Sequence, residues 1–245
     1  MFRYVFIVAA SIIITEATVK LEVTNEEIGL IWVGIKSEPG KAVVENGGFE
    51  LQSTETKILN VPDNWAGRLW ARTWCDPGSK HCLTGDCGNK LKCGRRGGAP
   101  PATTVEISLK AHRGVDYYDV TLVDGFNIGA SVQPENGVGN GGNLSCKPAS
   151  CMHEFKRDCP TELRLNSPHG VLGCKSPCQT FKTDEYCCRG VHKTPSTCKS
   201  DTWENDYAAM FKKECPDAFS YIFDKDDKTF TCRADHYIIT FGGAF

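Results

Sequence analysis

Apolar and polar residues alternate with a period of two over much of this chain. Val19-Lys-Leu-Glu-Val23 puts every second side chain on one face, the pattern of a half-buried strand. Ile28 to Ile35 (IGLIWVGI) is nearly continuous instead, as suits a strand covered on both faces. Thr56 to Val61 and Leu69 to Trp74 add strands, with Asn46-Gly-Gly as a turn between the earlier ones. Val105 to Leu109 and Tyr117 to Val123 resume the pattern after a loop-rich stretch. From Cys146 onward the alternation stops. Two short helices are predicted there. One starts near Pro160, since proline suits a first helical position. The other runs from about Thr202 to Glu214, with capping-box spacing between Asp201 and Glu204. Its Trp203, Tyr207, Met210 and Phe211 share a face and read as core packing. Thr229 to Cys232 and Tyr237 to Phe241 return to strand and could pair with the N-terminal sheet. Short strands punctuated by Gly and Asn predict a mainly β protein, a β-sandwich followed by a disulfide-rich loop and helix region.

The chain's start changes the compartment. Arg3, then an apolar run from Val5 to Ile14, then Ala17 describe a secretory signal peptide over residues 1–17. That run falls short of the roughly 20 apolar residues a bilayer span needs. Twenty-eight basic and 30 acidic residues give a net charge of −2, and no Lys/Arg run offers a nucleic-acid footprint. Fourteen cysteines, an even number, imply a disulfide framework in an exported chain. Without paired Cys-x-x-Cys spacing, and with six scattered histidines, the cysteines do not read as zinc ligands, and no other cofactor is implied. Asn143-Leu-Ser145 is an N-glycosylation acceptor, expected on the surface. A soluble, secreted, extracellular monomer is the expectation.

The most informative stretch is Arg68 to Cys93, where four cysteines are spaced by Gly, Pro, Asn and Asp. Two local loops, Cys75 with Cys82 and Cys87 with Cys93, are the simplest reading. Gly78 to Cys93, with its Thr-Gly-Asp-Cys turn, resembles the signature of thaumatin-like proteins, the thaumatin, osmotin and pathogenesis-related group. Glu106-Ile-Ser-Leu, Asp116-Tyr-Tyr-Asp119, Asp124-Gly-Phe-Asn, Asp184-Glu-Tyr-Cys187-Cys188 and Phe211-Lys-Lys-Glu-Cys215-Pro follow in that family's order. The resemblance covers about Thr18 to the C-terminus. It implies a sandwich domain I over 18–145 plus 229–245, with the 75–93 loops, and disulfide-rich domains II and III over 146–228. It also implies the pairing Cys75–Cys82, Cys87–Cys93, Cys146–Cys232, Cys151–Cys215, Cys159–Cys174, Cys178–Cys187 and Cys188–Cys198. One further bridge of the usual member is absent, its two positions being Glu27 and Gly242.

For function, the resemblance implies a cleft of the acidic type, lined by Arg68, Glu106, Asp119, Asp124 and Asp224. Asp226 and Asp227 lie beside the last of these. Asp119 and Asp124 stand five apart, so an unbroken strand would face them oppositely. Asp124 precedes Gly125 and is therefore expected at a strand end or bulge that re-aims it. Carboxylates accept hydrogen bonds from sugar hydroxyls. A pair of them can also hydrolyse a glycosidic bond, at about 5–5.5 Å apart with retention or about 6.5–9.5 Å with inversion. Glu106 as acid and Asp119 as the second carboxylate are the candidates, with crowded acids raising one pKa and Arg68 holding another carboxylate ionised. The implied activity is binding of β-1,3-glucan or other fungal cell-wall polysaccharide in defence, with weak endo-β-1,3-glucanase turnover left open. The alternative is a non-catalytic secreted module that binds a receptor or other protein.

Overall fold

The structure is a computed structural model and describes residues 17–224 and 229–243. Residues 1–16 of the expected leader lie outside the described residues, as do Asp226 and Asp227. Among the described residues fifteen strands and three short α-helices follow in chain order. The first strands are β1 (Thr18–Asn25), β2 (Ile31–Ser37), β3 (Gly48–Leu51), β4 (Thr56–Pro62) and β5 (Ala66–Cys75). Then come β6 (Cys82–Thr84), β7 (Thr104–His112), β8 (Val115–Thr121), β9 (Ala130–Pro134) and β10 (Ala149–Cys151). Helix α1 (Phe155–Asp158), β11 (Arg164–Ser167), β12 (Gly170–Cys174), α2 (Pro177–Phe181) and α3 (Tyr207–Glu214) make the middle section. The chain closes with β13 (Ala218–Phe219), β14 (Phe230–Cys232) and β15 (His236–Phe241).

Two sheets share one core. The smaller has the order β10-β9-β15-β1-β4, and the larger β13-β8-β7-β5-β2-β3, with β14 on β8 and β6 on β5. Alternation in β1 buries Val19, Leu21 and Val23, and β15 answers with Tyr237, Ile239 and Phe241, all at most 2% exposed. Burying such a side chain fully is worth roughly 1.5–3 kcal/mol. β2 is buried along nearly its whole length, which explains its continuous apolar sequence. Gly34 within it is required by packing, because a β-carbon there would lie 2.3 Å from the Trp70 ring.

β1 and β15 pair in parallel from Lys20 with His236 to Asn25 with Phe241, so the two ends of the described chain are tied by sheet hydrogen bonds. Where that ladder ends, Gly242 (φ +83°) sits against Glu27, and a β-carbon on it would lie 2.6 Å from the Glu27 amide nitrogen. Seven disulfides use all fourteen cysteines, in the pairs given above. Cys87–Cys93 is further anchored by Arg72, which is fully buried. Its guanidinium donates to the carbonyls of Trp32 (3.1 Å), Val33 (3.1 Å), Lys90 (2.7 Å) and Leu91 (2.8 Å).

Several elements differ from the sequence expectation. β2 begins at Ile31, not Ile28, and Ile28 is 83% exposed. The buried Asn25 side chain is the cause: it donates to the carbonyls of Gly29 and Leu51 and accepts from the Glu27 amide, closing a turn over residues 25–29. Helix α3 starts at Tyr207, five residues later than Thr202, because Asp206 is its N-cap and accepts from the Ala209 amide at 2.9 Å. Residues 200–202 form a separate 3-10 turn, and extended Trp203 (ψ 153°) ends it. Trp203 packs in a satellite cluster with Cys188, Cys198, Ala208 and Tyr221, apart from Phe211 in the main core. Pro160 precedes a 3-10 turn over Thr161–Leu163, while α1 comes before it. Between Cys146 and Thr229 four short strands form among the described residues, of which β10 and β13 join the two main sheets. They are three and two residues long, too short to show a period. The Cys151–Cys215 bridge links the end of β10 to the segment just before β13. Among the described residues no helix is long and apolar enough to cross a membrane.

Candidate functional site

The outer face of the larger sheet carries the charged set. Along β7, Val105, Ile107 and Leu109 point into the core, which leaves Glu106 on the opposite face. β5 and β8 repeat that division, with Leu69 and Val120 buried and their neighbours Arg68 and Asp119 only half-buried. Antiparallel register then sets Arg68 opposite Glu106, and Glu106 opposite Asp119. Directly opposed residues have β-carbons about 4.5–5.5 Å apart. Arg68 Nη2 lies 3.5 Å from Glu106 Oε1, with side chains 34% and 40% exposed. On the other side of Arg68 the register brings Lys36 of β2. The row across four strands reads cation, cation, acid, acid.

Asp124 reaches the same region by a turn. β8 ends at Thr121, and the Gly125 amide donates back to the Leu122 carbonyl at 2.7 Å, with Gly125 at φ +82°. The turn cancels the five-residue offset from Asp119, and Arg68 interacts electrostatically with the Asp124 carboxyl. Burial pushes that carboxyl above its ordinary value of 3.8, and Arg68 opposes the shift. Asp124 thus holds a proton to higher pH than a solvated aspartate does.

Asp224 is brought near by β13, whose Ala218 and Phe219 run parallel to Val120 and Thr121 of β8. Its Oδ2 accepts from the amide and hydroxyl of Ser220, both at 2.9 Å, and pairs with Lys212 Nζ at 2.7 Å. With a side chain only 6% exposed, it fixes the 220–224 loop against α3. Its geometry differs in kind from the half-buried row of Arg68 and Glu106.

Beside Asp124 a cavity of about 200 Å³ opens between the sheet and the disulfide-rich region, lined by Pro177, Gln179, Tyr186, Trp203 and Tyr221 among others. Trp203 Nε1 and Gln179 Oε1 are buried without a hydrogen-bond partner among the described residues, as is Arg68 Nε. Sequence reasoning assigned Trp203 to packing alone and did not single out Lys36 or the cavity. Lys36 closes a continuous apolar run and carries no periodic mark. The cavity joins segments about fifty to a hundred residues apart, which no local pattern reports. Asn143 is exposed on a turn.

A family model described as the Thaumatin family matches residues 25–243. Pathogenesis-related protein 5 of Arabidopsis thaliana is 42% identical over 214 residues, covering 86% of this chain and 84% of that protein. Thaumatin-like protein 1a of Malus domestica is 40% identical over 228 residues, covering 91% and 89%. Among solved structures, a family 64 laminaripentaose-producing β-1,3-glucanase of Paenibacillus barengoltzii, complexed with laminarihexaose, aligns with TM-score 0.57 at 13% identity. That alignment covers 94% of this chain and 76% of the glucanase, a likeness of fold.

Proposed function

The chain belongs to the thaumatin family, among pathogenesis-related thaumatin-like defence proteins, and from that premise we propose that its acidic groove binds β-1,3-glucan of fungal cell walls. The observation that carries this reading is the in-register row of Arg68, Glu106 and Asp119 on one half-buried sheet face. Asp124 is turned toward Arg68 beside it. Carboxylates held at fixed spacing on a rigid sheet accept hydrogen bonds from sugar hydroxyls without first having to be ordered. Arg68 serves as a donor and keeps neighbouring acids from repelling one another. Tyr186, Tyr221 and Trp203 beside Asp124 offer apolar surface for a pyranose face. The β-1,3-glucanase of like fold, solved with laminarihexaose, supports the ligand class by analogy of fold alone.

Glu106 and Asp119 are the candidate catalytic pair for weak endo-β-1,3-glucanase turnover. The β-carbon spacing of opposed residues, about 4.5–5.5 Å, favours the short carboxyl separation of a retaining mechanism. Asp224 acts as a positioning residue, through the loop it ties to Lys212. Export by the leader over 1–17 and occupancy of Asn143 belong to the same reading, as does action as a monomer.

The test is co-sedimentation with insoluble β-1,3-glucan, with product analysis on a soluble laminarin-type glucan. Asp119→Asn and Arg68→Met are expected to lower retention at least tenfold, and Glu106→Gln to abolish any release of oligosaccharide. Retention unchanged in both binding variants would refute the groove. Retention without release, in wild type and variants alike, would leave a glucan-binding protein and remove the catalytic pair.

A further inference from the structure

A second cavity, of about 340 Å³, opens between the β1–β2 turn, the last residues of β5 and α1. Six residue steps along β5 separate Trp74 at its edge from Arg68, roughly 20 Å at about 3.4 Å each, so it is distinct from the acidic groove. Its walls are mainly apolar, contributed by Leu30, Ile31, Ile128 and the Trp74 indole. Trp74 is 51% exposed and has φ +56°, a region bulky residues rarely enter. Its ring stacks on His169, with centroids 4.6 Å apart and planes 13° off parallel. The strained backbone and the stack together hold a large aromatic surface at the rim instead of in the core.

Glu27 and Lys156 are the charged groups of this cavity. Lys156 Nζ is already paired with Glu154 at 3.0 Å. The Glu27 side chain has no ion pair or hydrogen bond among the described residues, although it is partly buried. Burial pushes its carboxyl up, Lys156 works against that and Glu154 adds to it. The Glu27 backbone is fixed on both sides: its amide donates to Asn25 Oδ1 at 2.8 Å, and its carbonyl accepts from Ser53 Oγ at 2.6 Å. Gly242 leaves the space for that approach. The Glu27 carboxyl facing the cavity is therefore held on a fixed backbone and opposed only by Lys156, whose ammonium is shared with Glu154.

We propose that this cavity is a small-molecule site for an organic cation with a flat apolar body, an arylalkylamine in chemical class. Its ammonium meets the Glu27 carboxylate, and its ring lies against Trp74. The volume is at the small end of the range for ligand pockets, about 300–1,000 Å³, and an apolar lining with few polar groups is their usual character. A cation gains from both the carboxylate and the indole π-face. An anion would meet Glu27, with only a lysine that is already paired to Glu154 to attract it.

Calorimetric titration of the purified, disulfide-intact protein with three indoles tests this: tryptamine as cation, 3-ethylindole as neutral analogue and indole-3-propionate as anion. Tryptamine should bind at least tenfold tighter than 3-ethylindole, and the anion weakest. Glu27→Gln should erase the preference for tryptamine while leaving 3-ethylindole within twofold, and Trp74→Ala should weaken both at least tenfold. Lys156→Met, which leaves Glu27 in place, should tighten tryptamine. Equal affinity for cation and neutral analogue overturns the proposal, as do anion preference, no effect of Trp74→Ala, or no saturation by tryptamine at millimolar concentration.

Discussion

Replacing Asp116 by alanine should unfold this protein more readily while sparing the proposed acidic groove, whose Asp119 lies three residues away on the same strand. Asp116 is 3% exposed and accepts three hydrogen bonds. They come from Tyr237 Oη (2.7 Å), the Lys110 amide (2.8 Å) and the Ala234 amide (3.2 Å). It thereby ties the β7–β8 hairpin, which carries Glu106 and Asp119, to the C-terminal strand β15. Hydrogen bonds to a charged acceptor contribute about 1.5–3 kcal/mol each, and a buried donor left without a partner costs about 1–3 kcal/mol. Lys110 is exposed, so its amide can turn to water. Tyr237 is 0% exposed and cannot. The loss is then dominated by the stranded tyrosine hydroxyl, and a total of about 2–5 kcal/mol is expected. Urea denaturation with the bridges intact measures it. Tyr237→Phe in the Asp116→Ala background should recover at least about 1 kcal/mol, because it removes the orphaned donor. A loss under about 1 kcal/mol, or strictly additive single mutants, would refute the reasoning.

Two further outcomes follow from buried charge. Arg72→Lys should destabilise by about 2–4 kcal/mol, since one ammonium cannot reach the four carbonyls the guanidinium satisfies; a thermal melt reads the loss, and faster proteolysis within residues 87–93 should accompany it. Burial holds the Asp124 carboxyl above 3.8, so the folded protein keeps that proton where the unfolded chain has released it. This residue's contribution to stability must therefore fall as pH rises above its unfolded value. Asp124→Asn removes the effect, so the stability difference, variant minus wild type, should grow as pH rises through that window; a flat difference would show that the carboxyl is not desolvated.

Local chemistry was enough to read the alternation of β1 and β15, the two-sided burial of β2 and the short loops closed by Cys75–Cys82 and Cys87–Cys93. Each of those depends on neighbours within a few residues, so the chain carries its own record of them. Arg68, Glu106 and Asp119 were identifiable from motifs, yet their alignment is a matter of register among β5, β7 and β8, and no single segment encodes it. The start of α3 at Tyr207 is not legible in the sequence for a related reason. Asp201 and Asp206 both offer a capping oxygen, and the packing of Trp203 against Tyr221 leaves only the second at the head of a helix. The orientation of Asp124 waited on a glycine turn, and the surroundings of Glu27 on where α1 and its N-cap set Lys156 and Glu154. Short-range periodicity specifies which face a residue occupies, whereas the company a charge keeps is settled by strands and loops distant in sequence, when burial decides which groups share a dry space.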